Sequence, residues 1–273
     1  MTQPLDEAQF RRSIYEKYQE HFDHLYRLLQ FAEQAMGNFK GHAATAYEVS
    51  LWLIFARAFK SFDSIRRLCE VVLCEDAGVI LRSLLNLLVV TRWISLNPQK
   101  RASKYLAWYW MDIYVFAQRF KHRIPPEWMP VIEKNYARVK KQFEYKDAKG
   151  KTRVAKEWYV PEAHTIYDLF VEVDMKKHYE ECYAPLSGIE HTDTTAFFGM
   201  LVPMGKTGEK GRLEVQSDLF VPHYLRNAFQ YFAEIFRIVN EALPLADAKQ
   251  LGEIVAAGID FYKTDMQAKG IQP

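Results

Sequence analysis

Two short runs in this sequence have the residue types and spacing of a chemical site. The first is Arg82, Ser83 and Asn86. Arg82 and Asn86 are four apart, so on a helix they share one stripe. Their neighbours Leu81, Leu84, Leu85, Leu87 and Leu88 are core-like. A guanidinium in so apolar a stretch needs a partner or an opening to water. The second run is Tyr183, Ser187 and His191, again in four-residue steps along one helical face.

If helices 76–96 and 176–191 face each other, these residues line a polar pocket with one cation, one imidazole, two hydroxyls, a phenol and an amide. One reading is a binding or interaction protein. Its pocket would take a small anionic ligand or a protein partner, with a homodimer as one form of that partnership. The other reading is a metal-independent nuclease or phosphate-transfer enzyme. Arg82 and His191 would be its catalytic residues, with Ser83, Asn86, Tyr183 and Ser187 binding. An imidazole titrates near neutral pH and serves acid–base transfer, and a guanidinium stabilises charge developing on a phosphate. The same residues can equally tie two helices together and bind nothing.

A basic stretch bears on the second reading. From Lys134 to Lys156 there are nine basic residues and two acidic ones, a local excess of +7 in a chain of net charge +2. Such a run can meet a phosphate backbone, which leaves nucleic acid open as a partner. It is also what an ordinary solvated loop looks like.

Other motifs carry less. Glu20, His21 and His24 have helix-bundle metal spacing, but no second Glu-x-x-His occurs to complete a site. His21 therefore reads as a packed core histidine, and no metal is expected. His178, Glu181 and Cys182 read as helix surface. Gly205-Lys206-Thr207 lacks the spacing of a phosphate loop, since Gly199 leaves five residues where four are needed. No cofactor is expected. Glu48 and Arg57, the only charges between Tyr47 and Phe59, read as mutual or cross-helix partners in a core.

The elements that must position these residues are helical. Apolar residues recur at three and four from Phe10 to Ala32, predicting a first helix over 5–36 that is peripheral or part of the bundle. Further helices are expected over 43–73, 76–96, 99–122, 125–145, 161–173, 176–191, 221–243 and 245–267, bounded by signals such as Gly37, Pro98 and Pro244. The polar stretch 146–156 reads as a loop. The glycine-rich stretch 197–217 reads as a small hairpin or an irregular excursion. The fold class is thus all-α: one bundle of about seven long helices in a single domain.

Composition agrees. Of 273 residues, 49% are apolar and 26% charged, which excludes wholesale disorder. Three cysteines without regular spacing make no disulfide framework. The first residues do not read as a signal peptide. Val79–Leu96 is the most apolar stretch, yet it contains Arg82, Asn86 and Arg92, so it reads as a buried helix and not a membrane span. A cytoplasmic protein with no membrane partner is expected.

Three segments carry a family resemblance. They are A-R-A-F-K-S-F-D-S-I-R-R-L-C-E from Ala56, E-D-A-G-V-I-L-R-S-L-L-N from Glu75, and Y-A-P-L-S-G-I-E-H from Tyr183 to His191. Over roughly Tyr47 to Leu243 the chain resembles an uncharacterised bacterial all-helical family, a domain of unknown function. That family carries an L-x-R-S/T-x-x-E helix and a later Y-x-x-x-S-x-x-x-H helix. The resemblance implies the fold but no activity. Asn86 stands where the family motif has its acidic residue. If that carboxylate is a general base in the family, this chain lacks it. A looser likeness runs to helical proteins of bacterial defence and RNA-cleaving toxin systems. Those toxins place a His after an Arg with four to six residues between them. None of the eight histidines here has an Arg at that distance, so only Arg82 with His191 can substitute.

Overall fold

In the computed structural model, residues 6–39, 41, 43–190, 201–202, 212–213 and 218–270 are described. The fold is all-α, as the periodicity predicts, with small two-stranded pairings as its only sheet among the described residues. The helices are α1 (Glu7–Lys17), α2 (Gln19–Gly37), α3 (Ala46–Glu70), α4 (Cys74–Leu96), α5 (Pro98–Arg119), α6 (Met129–Val139), α7 (Ile166–Glu172), α8 (Lys176–His178), α9 (Ala184–Glu190), α10 (Val221–Ala242) and α11 (Ala248–Ala268). They fall into two compact units. The first comprises Met1–His42, Trp52–Thr91 and Lys177–Pro273, and the second Ala43–Leu51 and Arg92–Lys176.

The expected single first helix is two. It breaks at Tyr18, whose backbone N–H reaches both Ile14 and Tyr15 carbonyls. The apolar stripe runs straight through this point, so the pattern gives no warning. Helix α2 is no peripheral element either: Phe22, Leu25 and Leu28 are completely buried.

The core of the first unit is aromatic. Phe232 on α10 stacks on Phe55 and Phe62 of α3, with ring centroids 5.7 and 4.5 Å apart. Phe236 adds contacts to Phe55 and to Phe31 of α2. Helix α10 buries Leu225, Phe229, Phe232, Phe236 and Val239 at three- and four-residue steps. It meets α11 at Gly258, where a β-carbon would lie 2.2 Å from the Phe229 ring. Any side chain there would have to displace the Phe229 ring.

Helices α3 and α4 are joined by a tight turn. The Leu73 N–H bonds the Leu68 carbonyl at 2.9 Å and the Val72 N–H bonds that of Cys69, the pattern that closes many helices. The left-handed position, usually glycine, is Val72, with φ of 58°. Its buried side chain offsets that backbone cost by packing. Helix α4 has the length and hydropathy to cross a membrane, and half of its most apolar window is buried within the protein.

In the second unit the polar stretch expected to be a loop contains a hairpin. Strands β1 (Glu144–Lys146) and β2 (Thr152–Val154) pair antiparallel, Glu144 opposite Val154. Asp147 holds the turn by accepting from the Lys149 and Lys151 N–H groups, and Gly150 supplies the positive φ of 74°. A second pairing, β3 (Leu201–Val202) with β4 (Arg212–Leu213), falls inside the predicted excursion 197–217. The rest of that excursion lies outside the described residues.

Candidate functional site

Arg82 projects from the middle of α4. Its guanidinium donates from Nη2 to the Tyr183 phenol oxygen at 3.0 Å and lies 4.5 Å from the centre of that ring. Two of the predicted site residues, a hundred positions apart in sequence, are therefore in direct contact. The packing that allows this is set one turn earlier on α4. Gly78 lies against Leu186 of α9 and Tyr224 of α10, and a β-carbon there would sit 3.1 Å from each.

Tyr183 does not sit on a continuous α-helix. Residues Tyr179–Tyr183 form a π-helical turn between α8 and α9, closed by the Ala184 N–H on the Tyr179 carbonyl. Such a turn accommodates one extra residue and is common at functional positions. It stacks Tyr179 on Tyr183, with centroids 5.3 Å apart.

The other predicted residues are placed unevenly. Asn86 lies one turn beyond Arg82 on the same stripe. Its Oδ1 is buried and has no hydrogen-bond partner among the described residues. The Ser83 hydroxyl turns back to the Val79 carbonyl, so its capacity is used locally. Ser187 is half-buried on α9. His191 lies outside the described residues, and so does any geometry between it and Arg82.

Glu48 and Arg57 are not core partners. Glu48 caps the start of α3 by accepting from the Ala44 and Thr45 N–H groups at 2.7 and 2.9 Å, while Arg57 is exposed. His21 is buried, with Nε2 3.3 Å from Asp265 Oδ2 and its ring edge-on to Phe261. Burial outweighs Asp265 and holds this imidazole below the ordinary range. No group of three or more metal-ligating side chains occurs among the described residues.

The sequence reading missed two charged clusters. In the first unit, Arg66 lies 4.7 Å from the Tyr26 ring centre and donates to the Tyr26 phenol at 2.7 Å. It also bonds Asp63 at 2.6 Å and the fully buried Glu70, which takes further hydrogen bonds from Tyr26 and Arg11. The Arg66–Glu70 spacing was readable, but Tyr26 and Arg11 come from 40 and 59 residues away. In the second unit, the buried Arg101 lies 3.7 Å from the Trp93 ring centre. It bonds the Trp93 carbonyl at 2.8 Å and Glu172 at 2.6 Å. Lys104 donates to the Val160 carbonyl beside Glu162. Apart from Trp93, eight residues before Arg101, these partners lie 56 to 71 residues away along the chain, beyond any local pattern.

The model of a family of unknown function, DUF5677, covers residues 49–207, more than half of the chain. No curated protein and no solved structure matches.

Proposed function

We propose that this chain, which belongs to the family of unknown function DUF5677, is a ligand-binding protein whose site is the Arg82–Asn86 stripe of α4 facing Tyr183. The observation that carries this reading is the Asn86 amide. Its buried Oδ1 has no hydrogen-bond partner among the described residues, one turn from a guanidinium that already meets Tyr183. A buried polar atom left unpaired costs about 1–3 kcal/mol, so a ligand that completes it gains that much in binding. Asn86 can present its oxygen or, with the amide turned over, its NH₂ group. Arg82 supplies charge and donors. The complementary ligand is a small anion that also carries a polar group for the amide.

The groups gathered here are a guanidinium, a phenol and an amide, which bind and orient. The imidazole that would turn the site to acid–base chemistry is His191, and that reading rests on sequence alone.

The test is thermal unfolding of the parent, Arg82→Ala and Asn86→Leu with inorganic phosphate, nucleoside phosphates and small carboxylates. A ligand at about a hundred times its Kd stabilises the folded state by roughly 2.7 kcal/mol. The parent should shift with at least one anion and both variants should not. Identical responses in all three proteins would remove the site.

A further inference from the structure

The second unit contains a pocket that the proposed site does not use. It encloses about 550 Å³ between α5, α6 and the end of β2. That volume falls within the range of small-molecule sites, roughly 300–1,000 Å³. Trp108, Asp112, Phe116 and Arg119 line it from α5, Tyr136 from α6, and Lys156 from just past β2.

Its walls are aromatic and fixed. Tyr136 stacks on Tyr114 with centroids 3.7 Å apart and planes within 8°. Trp108 is braced edge-on by the buried Phe143 at 5.0 Å. Phe116 is 42% exposed and Val115 57% exposed, an open apolar lip. The polar groups differ by position. Asp112 is itself exposed and takes a hydrogen bond from the Trp108 indole, while partial desolvation raises its carboxyl above the ordinary range. Arg119 and Lys156 are exposed cations. Beyond Lys156 the hairpin carries the exposed Lys146, Lys149, Lys151 and Arg153.

We propose that this pocket holds a nucleobase of a single-stranded nucleic acid, with the strand's phosphates along the cationic rim and hairpin. A base is a flat, neutral ring that stacks on aromatic side chains. Asp112 accepts from its N–H groups and repels any anion placed beside it. The phosphate that every base carries then meets Arg119 and Lys156. An apolar protein segment would leave both the carboxylate and the cations unmatched.

The experiment uses the full chain and a fluorescein-labelled adenine 12-mer, single-stranded, read by anisotropy over a salt series. The same-length duplex, AMP and inorganic phosphate serve as comparisons. The single strand should bind more tightly than the duplex and lose affinity steeply with salt. Phe116→Ala should weaken it about tenfold, the scale of one lost base stack, while Phe116→Tyr should retain it. Phe116 is at the surface, so neither variant threatens the fold. Arg119→Ala with Lys156→Ala should flatten the salt slope by about 1.4, two phosphate contacts on a single strand. AMP should compete only at concentrations at least about tenfold above the 12-mer, and inorganic phosphate should not compete in that range.

Equal binding of strand and duplex, insensitive to Phe116→Ala, would overturn the base pocket. So would AMP binding as tightly as the 12-mer, which would make free nucleotide the ligand. Filling of the pocket by anilinonaphthalene sulfonate that the single strand cannot displace would assign it to an apolar protein segment instead.

Discussion

Arg66 and Arg82 sit on consecutive helices of the same unit and make the same local contact. Each guanidinium lies over a tyrosine ring, at 4.7 and 4.5 Å, and each donates to that tyrosine's oxygen, at 2.7 and 3.0 Å. They differ in what their own helix offers at three residues before and four after. Around Arg66 those positions are Asp63 and Glu70; around Arg82 they are Val79 and Asn86. The carboxylates saturate Arg66, and Tyr26 and Arg11 complete Glu70. The α4 version ends instead in an amide whose oxygen has spare capacity. One site is a closed clamp between helices; the other has an amide at the position where the first has Glu70.

This contrast is open to direct attack. The largest effect should come from Glu70→Gln. Removing the charge from a buried pair leaves its partners uncompensated, at about 3–5 kcal/mol. Urea unfolding should show that loss, whereas Asn86→Gln should cost about 1 kcal/mol or less; equal losses would erase the distinction. Next, Tyr183→Phe removes a hydrogen bond from a charged donor but keeps the ring, for a loss of roughly 1.5 kcal/mol. Asn86→Leu should act in the opposite direction. Replacing an amide whose oxygen is buried and unpaired by an apolar side chain of similar size should stabilise by about 1 kcal/mol and abolish any anion response. A destabilised Asn86→Leu would mean that the amide is paired in solution.

The smallest effect is in pH. Burial opposes ionisation of Asp63, but hydrogen bonds from Arg66 and Arg67 outweigh it and hold its pKa below the ordinary 3.8. Its contribution is therefore complete above pH 3.8 and fades as pH falls through the lower folded value. Asp63→Asn should flatten the acid limb of the stability curve, and Asn86→Leu should leave that limb's shape alone. Acid titrations of the three proteins by circular dichroism would show whether the limb belongs to the Arg66 clamp.

How far the sequence could be read depended on range. Long amphipathic helices such as α10 announce themselves through residues three and four apart, and the Arg82–Asn86 stripe stood out as polar groups among leucines. The break at Tyr18 did not, because the apolar stripe continues through it. The β1–β2 hairpin was hidden by three-residue strands made mostly of polar side chains. Glu48 resembled a core charge but is a cap, since capping depends on which residue starts the helix. The clusters around Glu70 and Arg101 were illegible as wholes for a different cause: beyond near neighbours such as Arg66 and Glu70, the members that complete them are distant in sequence, and each alone resembles solvated surface. Tyr183 was named on the assumption of a regular α-helix. The contact with Arg82 is present, but it is delivered by an irregular turn that no periodicity predicts.

That irregular turn makes chain length itself a determinant of the site. An α-helix advances about 100° per residue, so a surplus residue would turn everything beyond it by that angle unless it is absorbed, and the wide turn at Tyr179–Tyr183 absorbs it. The turn thus sets how Tyr183 is aimed relative to Leu186, which packs against Gly78 of α4, and deleting one residue there would restore a regular helix and re-aim the tyrosine away from Arg82. A point substitution can weaken this site by degrees, whereas a one-residue deletion should switch it off. When relatives are aligned, a gap at these five positions would therefore mark a change of function more strongly than any nearby difference in residue type.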